Sequence, residues 1–164
     1  MSERKVTIEF TRPKGHICPV FSCLIRLVER TPYSHVRLRW ETGRGVPCVY
    51  EASGAGLKFK GPIADKDSVV ITDSFDIPIT KQEMAKLVDL CVTYADVDYG
   101  VTQIFGIAVA RLLGMEHNPF SQGDHNQICS EVALGFLEDI MGWETGLNRD
   151  LAGVKDIYNF LKGR

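Results

Sequence analysis

The sequence predicts a single α+β domain, residues 1–164, in which an antiparallel sheet of four to five strands packs against helices. Alternating apolar and polar side chains, typical of strands, are concentrated in the first 72 positions, whereas apolar residues at helical spacing dominate after residue 80. Two strand-like stretches also flank a glycine-bearing turn at Gly43, which indicates an antiparallel hairpin. At 164 residues the chain is long enough to bury a core of its own.

The first half of the chain is predicted to hold one helix among the strands. A strand over 6–10 leads to a turn over 11–15, and Pro19 suits the first turn of the helix. Thr31-Pro32 ends this helix, because the residue before a proline avoids helical angles. Its buried face is predicted to be Phe21, Leu24, Ile25 and Val28, and further strands are predicted over 35–40, 46–52, 56–60 and 68–72.

The second half is predicted to hold three helices and a short final one over 151–161. Thr80 and Glu83 form a capping box at the start of the first helix. Gly114 ends the second, and a polar loop over 114–127 leads to the third. The buried faces of the first two are predicted to be Met84, Leu87, Val88, Cys91, Tyr94 and Ala95, then Val101, Ile104, Phe105, Ala108, Val109, Leu112 and Leu113.

The strands on either side of Gly43 are predicted to pair in one register. Setting Trp40 opposite Val46 places the strongly apolar side chains of both strands on one face, which is what fixes a register. The same register sets His35 directly opposite Glu51 on the other face. Opposed side chains lie about 5 Å apart at Cβ, within hydrogen-bonding reach of an imidazole and a carboxylate. Such a pair is either an incidental surface contact or the oriented base of a cysteine hydrolase.

Cys129 is the candidate nucleophile. The residues before it, 121–126, are polar and typical of a loop and cap, and apolar residues recur at helical spacing from Val132 onward. Cys129 is therefore expected at or within one residue of a helix N-terminus, where unpaired backbone N–H groups and the helix dipole stabilise an anion. The same periodicity turns its sulfur inward, so a small core cysteine is the alternative interpretation.

Composition and charge narrow the function classes. A net charge of −2 with 24% charged residues is ordinary for a globular domain and gives no basic footprint, so no nucleic-acid partner is expected. The five cysteines are odd in number and scattered, and no apolar signal segment precedes them, which favours reduced thiols and a cytoplasmic location. The apolar run 17–28 is too short to span a bilayer and contains Arg26, so no integral membrane segment is expected.

Two sets of histidines and cysteines leave a zinc site as an alternative. They are His16, Cys18 and Cys23, and His117, His125 and Cys129. Neither set has a compact four-ligand spacing, and Cys18 and Cys23 fall on or beside an apolar helix face, where core packing explains them. No metal and no other cofactor is therefore expected.

Four short motifs follow one another along the chain. They are Pro32-Tyr33-Ser34-His35-Val36, Val49-Tyr50-Glu51-Ala52, Asp98-Tyr99-Gly100 and Ile128-Cys129-Ser130-Glu131. In this order they resemble the circularly permuted NlpC-type papain-like amidases, the YiiX/YaeF-like group, whose chains run histidine, acidic residue, cysteine. The resemblance covers roughly 6–140. Arg37 and Arg39 depart from the more apolar strand common in that family, and 114–127 has no counterpart.

The resemblance implies a papain-like fold and a cysteine-dependent hydrolase of the amidase or peptidase type. Cys129 would attack a carbonyl, His35 would carry the proton, and Glu51 would orient the imidazole. The implied substrate is a small-molecule, peptide or lipid amide, and a bacterial or phage origin fits the family. The implied substrate-binding or oxyanion residues are Tyr99, Ser34 and Ser130, for which a packing or capping role is the alternative.

Two other functions stay open at this point. Acyltransferases of the lecithin:retinol type share the histidine-before-cysteine order, so acyl transfer or thioester hydrolysis would use the same residues. A non-catalytic binding or virion-associated module on the same fold is the third interpretation, since fold does not fix function. The sequence does not predict the oligomeric state.

Overall fold

An antiparallel sheet forms one layer of the molecule and helices form the other. The computed structural model describes residues 4–14, 20–53, 56–65, 69–95, 97–121 and 126–164. The strands are β1 (Lys5–Pro13), β2 (His35–Glu41), β3 (Pro47–Ser53), β4 (Gly56–Lys60), β5 (Val69–Pro78), β6 (Asp98–Tyr99) and β7 (Asn126–Gln127). The helices are α1 (Val20–Glu29), α2 (Pro62–Asp65), α3 (Lys81–Thr93), α4 (Val101–Leu113), α5 (Cys129–Gly135) and α6 (Val154–Lys162).

Five strands make the main sheet, in the order β4-β3-β2-β1-β5, and each neighbouring pair is antiparallel. The predicted α+β class with an antiparallel sheet of four to five strands is therefore confirmed. Alternation along β2 sorts its side chains by face. Val36, Leu38 and Trp40 are buried in the apolar core, whereas His35, Arg37 and Arg39 occupy the other side of the strand.

The core lies between the sheet and α5. Leu134, Phe136 and Leu137, from α5 and the π-helical turn (Phe136–Ile140) that continues it, are fully buried in the same cluster as Leu38 and Ile8. Burying side chains of this size stabilises the fold by about 1.5–3 kcal/mol each. The first residue of α5 is thereby fixed relative to β2 and β3.

The β2–β3 hairpin has a different register from the predicted one. Trp40 faces Cys48 and Leu38 faces Tyr50, a shift of two residues. The turn is longer than a tight turn about Gly43, because the Thr42 N–H donates to Val46 O at 2.9 Å and Gly45 turns the chain with φ 74°. A two-residue shift keeps every side chain on its predicted face, so the apolar pattern fits both registers equally well.

Helix ends follow the sequence signals. Thr80 accepts from the Glu83 N–H at 3.2 Å and its own N–H donates to Glu83 at 2.7 Å, so the predicted capping box at the start of α3 is confirmed. Gly114, in the left-handed conformation with φ 65°, ends α4 as predicted. Pro19 lies outside the described residues.

The predicted buried helix faces are wrong in part. α1 buries Ser22, Ile25 and Glu29, and Leu24 and Val28 are half-buried. Large apolar side chains predicted to be in the core are exposed instead. When a helix has apolar residues on two sides, its sequence shows one broad apolar pattern, which does not tell which side is buried. They are Phe21, Val88, Phe105, Leu112 and Leu113.

A short parallel pairing was not predicted at all. Asp98 pairs with Asn126 and Tyr99 with Gln127, and the Gly100 N–H donates to Gln127 O at 3.1 Å. The Leu57 N–H, in turn, donates to Val97 O at 3.1 Å and joins this pair to the edge of the main sheet. The pairing sets the end of β6 beside the start of α5.

Candidate active site

The structure brings Cys129, His35 and Glu51 together. Cys129 is the first residue of α5, as predicted to within one residue, and His35 is the first residue of β2. Glu51 lies in β3, next to β2 in the sheet. The site therefore forms where a helix begins, a strand begins and a neighbouring strand passes, which fixes three backbone positions independently of the loops.

His35 and Glu51 meet diagonally across the two strands. Arg39 pairs with Val49, so by continuation of the ladder Arg37 takes the position opposite Glu51. The prediction that His35 stands directly opposite Glu51 is therefore wrong, although both side chains lie on the same face as predicted. His35 Nε2 is 3.6 Å from Glu51 Oε2. Both atoms are buried and have no other hydrogen-bond partner in the described part of the chain, so a movement of a few tenths of an ångström completes their bond.

Glu51 is held as a carboxylate by a buried group of charges. Its Oε1 forms an ion pair with Lys60 Nζ, and its Oε2 lies 3.8 Å from a terminal nitrogen of Arg37. Burial raises the pKa of Glu51, but His35 and Lys60 outweigh it and lower the pKa to about 2. Glu51 therefore remains ionised across the physiological range.

Arg37 is itself fixed by a second carboxylate. Its Nε donates to Glu9 Oε2 at 2.7 Å, and Arg39 donates to Glu9 Oε1 at 3.3 Å. Arg37 and Glu9 are almost fully buried. Removing one partner of such a pair destabilises the fold, because the other charge is then left unpaired away from water. Arg37 and Arg39 are thus part of the scaffold behind Glu51.

His35 also forms a hydrogen bond with the Cys129 thiol. Since Nε2 faces Glu51, Nδ1 is the ring atom that remains for Cys129. Burial lowers the pKa of His35, but the interactions with Cys129 and Glu51 are stronger together and raise the pKa to about 9. At neutral pH the imidazole therefore binds a proton between a sulfur and a carboxylate.

Tyr99 lies at the same site. It forms a side-chain hydrogen bond with Cys129, so its hydroxyl is beside the sulfur, and burial followed by the Cys129 interaction raises the pKa of Tyr99 well above its usual value. The phenol therefore stays protonated and acts as a donor. Its position follows from the β6–β7 pairing, which sets Tyr99 beside Gln127, two residues before Cys129.

Ser34 and Ser130 take different places. The Ser34 hydroxyl is hydrogen-bonded to that of Ser22 in α1, and the Ser34 N–H donates to Thr11 O at 3.0 Å. These contacts fix the residue before His35 rather than point Ser34 at a substrate. Ser130 is buried and lies with Cys129 in the wall of an apolar cleft.

Two hollows adjoin the start of α5. The apolar cleft contains about 400 Å³ of empty space, part of it open to solvent, and is lined by α1, α4 and residues 128–130. A more polar hollow, with about 840 Å³ of empty space that also includes open solvent, reaches Gln127 and Glu131 on either side of Cys129 and is bordered by Arg149.

Cys48 and Cys91 do not belong to this site. Cys91 is fully buried and Cys48 half-buried, and burial raises the pKa of both thiols, that of Cys91 to about 12. Cys23 is disulfide-bonded. The expectation that the cysteines are all reduced is therefore wrong for Cys23.

The zinc alternatives depend on His16, Cys18 and His125, which lie outside the described residues. Within the described ranges, no group of three or more histidine, cysteine or carboxylate side chains has the arrangement of a metal site. None of the described helices has the length and apolar composition needed to cross a bilayer.

Sequence reasoning missed Lys60, Glu9 and the scaffold role of Arg37. Glu9 was recoverable, because a carboxylate in β1 beside an arginine-rich β2 is the usual pattern of a cross-strand ion pair. Lys60 was not, since β4 carries Lys58 and Lys60 on the same face and Lys58 is the one directly opposite Glu51.

Comparisons with known proteins add nothing to this geometry: neither a family model nor a curated protein matches the chain.

Proposed function

We propose that this protein is a cysteine-dependent hydrolase of the amidase or peptidase type, with the permuted NlpC papain-like arrangement. The observation that carries the proposal is the line of contacts from Cys129 through His35 to Glu51, with Tyr99 beside the sulfur. A nucleophile, a base that bonds it and an orienting third group are the requirements of covalent acyl chemistry.

The proposed reaction has two steps. The Cys129 sulfur attacks a carbonyl carbon, the protonated His35 gives its proton to the leaving amine as the C–N bond breaks, and an acyl-enzyme forms. Water then attacks this thioester, its proton passes to His35, and the acid and the free thiol are released. The Cys129 backbone N–H, which no carbonyl within the helix accepts, and the Tyr99 hydroxyl serve as donors to the oxyanion.

Glu51 acts on His35 alone in this scheme. It holds the ring so that Nδ1 faces the sulfur, and its charge favours the imidazolium that forms in each step. The proposed substrates are small-molecule, peptide or lipid amides. The disulfide of Cys23 conflicts with the cytoplasmic location expected from the sequence, because the cytoplasm is a reducing compartment.

The test compares three variants with one activated amide or ester at one pH. Cys129→Ala and His35→Ala should each reduce kcat by about 10³-fold or more, because nucleophile and proton carrier act as a unit. Glu51→Gln should retain a measurable fraction, since the imidazole still titrates but is poorly oriented. Mass spectrometry of a slow substrate should show an acyl adduct on Cys129.

Cys48→Ala, a change of the same kind outside the site, serves as the matched control and should keep full activity. Thermal melts must show that every variant is folded. Wild-type activity in folded Cys129→Ala would end the proposal, and a non-catalytic binding module would then be the better interpretation. Transfer of the acyl group to an added alcohol or amine in preference to water would instead favour an acyltransferase.

A further inference from the structure

The apolar cleft between α1 and α4 reaches the candidate nucleophile. Cys129, the first residue of α5, is part of its wall, with Ile128 before it and Ser130 after it. The two helices supply apolar side chains to the rest of the wall, Leu24, Ile25 and Val28 from α1 and Ile104, Ile107 and Ala108 from α4. An acyl group bonded to Cys129 therefore has this cleft beside it.

The cleft is small. About 30 Å³ of its volume can be reached by a water-sized sphere. One group of that size needs about 10–15 Å³, so the cleft has room for roughly two or three of them. This matches the side chain of alanine, 2-aminobutyrate or valine. The isobutyl group of leucine and an aromatic ring are too large.

The walls also select against polar side chains. Glu29 is the charged residue among those that line the cleft, and it is already paired. It accepts from the Lys155 N–H at 2.8 Å and lies 3.4 Å from a guanidinium nitrogen of Arg111. A polar side chain in the cleft would exchange water for mainly apolar neighbours, which is costly, whereas a methyl group needs no polar partner.

We propose that this cleft binds the side chain of the substrate residue whose carbonyl carbon Cys129 attacks, and that it selects a small apolar side chain. The inference rests on the proposed function and names its substrate class, amides whose acyl group comes from alanine, 2-aminobutyrate or valine. Ala108 sets the size limit, because it is the smallest of the side chains that α4 supplies to the wall.

The chemistry is that of the proposed hydrolase. The Sγ–C bond forms as the C–N bond breaks, and the leaving amine takes its proton from His35. Water then attacks the thioester, its proton returns to His35, and the carboxylic acid leaves Cys129. The side chain remains in the cleft through both steps, so it contributes to kcat/KM.

The first experiment measures kcat/KM for N-acetyl-aminoacyl 4-methylcoumaryl-7-amides of glycine, alanine, 2-aminobutyrate, valine, leucine and phenylalanine. From glycine to 2-aminobutyrate the value should rise about two- to fourfold per carbon. At leucine and phenylalanine it should fall about tenfold or more, because these side chains do not enter the cleft. Equal values across the series, with activity lost in Cys129→Ala, would overturn the cleft assignment and leave the proposed function standing.

Two substitutions at Ala108 should move the size limit in opposite directions. Ala108→Gly enlarges the cleft and should raise the value for leucine relative to alanine, whereas Ala108→Val fills it and should make glycine the best substrate. Ala85→Gly, the same change at an exposed position of α3, is the matched control and should keep the wild-type preference. Ile104→Val replaces Ala108→Gly if the latter does not fold by circular dichroism. An unchanged preference in the folded cleft variants would overturn the proposal.

The second experiment tests the cleft without turnover. The chloromethyl ketones of N-acetyl-alanine and N-acetyl-phenylalanine alkylate a thiolate, since the Sγ–C bond forms as the C–Cl bond breaks and chloride leaves. The alanine reagent should modify Cys129 about tenfold faster or more. Peptide mass spectrometry measures both rates, and iodoacetamide, which carries no side chain, corrects each variant for the reactivity of its thiol.

The two proposals fail differently in this experiment. Equal labelling of Cys129 by the two reagents overturns the cleft assignment, even where amide hydrolysis depends on Cys129. Preference for the alanine reagent in a protein whose hydrolysis survives Cys129→Ala supports the cleft and overturns only the proposed function.

Discussion

At the scale of single residues, two lysines of β4 are placed differently around Glu51. Lys60 forms an ion pair with the carboxylate, whereas Lys58, directly opposite Glu51 in the ladder, is exposed. Burial raises the pKa of Glu51, and Lys60 is one of the groups that bring it down to about 2. Lys60 therefore keeps Glu51 ionised and fixes which oxygen faces His35.

We expect Lys60→Met to move the acid limb of the kcat/KM pH profile to higher pH, because the pKa of Glu51 rises when its cation is removed. Stability should fall by about 1–2 kcal/mol, since Lys60 is partly exposed. Lys58→Met is the control and should change neither quantity. Identical pH profiles for the two variants would show that Lys60 does not act through Glu51.

The cysteines should also differ in reactivity. Limited iodoacetamide at neutral pH should modify Cys129 before Cys48 or Cys91, because burial raises the pKa of the latter two thiols, whereas Cys129 lies at the start of α5 beside His35. Peptide mapping by mass spectrometry identifies the first site. His35→Ala should slow the reaction at Cys129 alone. A first adduct on Cys48, which is the more exposed thiol, would contradict the assignment.

At the scale of elements, α6 is joined to α1 and α4 by a buried carboxylate. Glu29 accepts from the first turn of α6 and contacts Arg111, which also pairs with Asp156. Gly153 precedes the helix, and a Cβ there would lie 1.7 Å from the Glu29 carboxylate. The close approach of this carboxylate leaves room for glycine only.

Gly153→Ala should therefore displace Glu29 and lower the free energy of unfolding by about 1–3 kcal/mol. Gly163→Ala, at the other end of α6, is the control, because its nearest neighbours would lie at 3.5 Å or more and its backbone angles suit alanine. Urea denaturation measures both. Equal stability of the two variants would mean that Glu29 shifts without loss.

Elements were more predictable from the sequence than the contacts between them. The capping box at Thr80 and the stop at Gly114 depend on local chemistry, and both were predicted. The β2–β3 register was not, because a two-residue shift leaves every side chain on its face and only the turn conformation decides it.

The candidate site shows the same division. Cys129 at a helix start follows from local periodicity, and His35 shares a face with Glu51 in either register. Lys60 and the apolar cleft depend on which helix face is exposed, and the broad apolar patterns of α1 and α4 do not distinguish their two sides. The pairing of Tyr99 with Gln127 joins residues far apart in the chain over only two positions, too short a stretch to show a pattern.

At the scale of the whole molecule, folding changes the proton affinity of two site groups in opposite directions. It raises the pKa of His35 from 6.5 to about 9, so this contribution to stability is complete below pH 6.5 and is lost as the pH rises through 9. It lowers the pKa of Glu51 from 4.5 to about 2, so that contribution is complete above pH 4.5 and is lost as the pH falls through 2. Both contributions to stability are therefore complete between pH 4.5 and pH 6.5.

Urea unfolding across this range should show a loss of stability above pH 6.5 that is smaller in His35→Gln, and a loss below pH 4.5 that is smaller in Glu51→Gln. Each variant serves as the control for the other limb. An alkaline decline of the same size in wild type and His35→Gln would show that His35 is not stabilised as an imidazolium in the folded protein.

The parallel pair of β6 and β7 fastens both ends of segment 100–125 at one point, where the Gly100 N–H donates to Gln127 O. The segment that contains α4 therefore leaves the scaffold and returns to the position it left, two residues before Cys129. Recombination between related genes at these two ends would replace α4, which forms one wall of the cleft. The elements that carry Cys129, His35 and Glu51 would keep their sequences. Substrate preference among such related proteins can change by replacement of segment 100–125 alone. A library of variants with different segments at this position offers the same route in protein engineering.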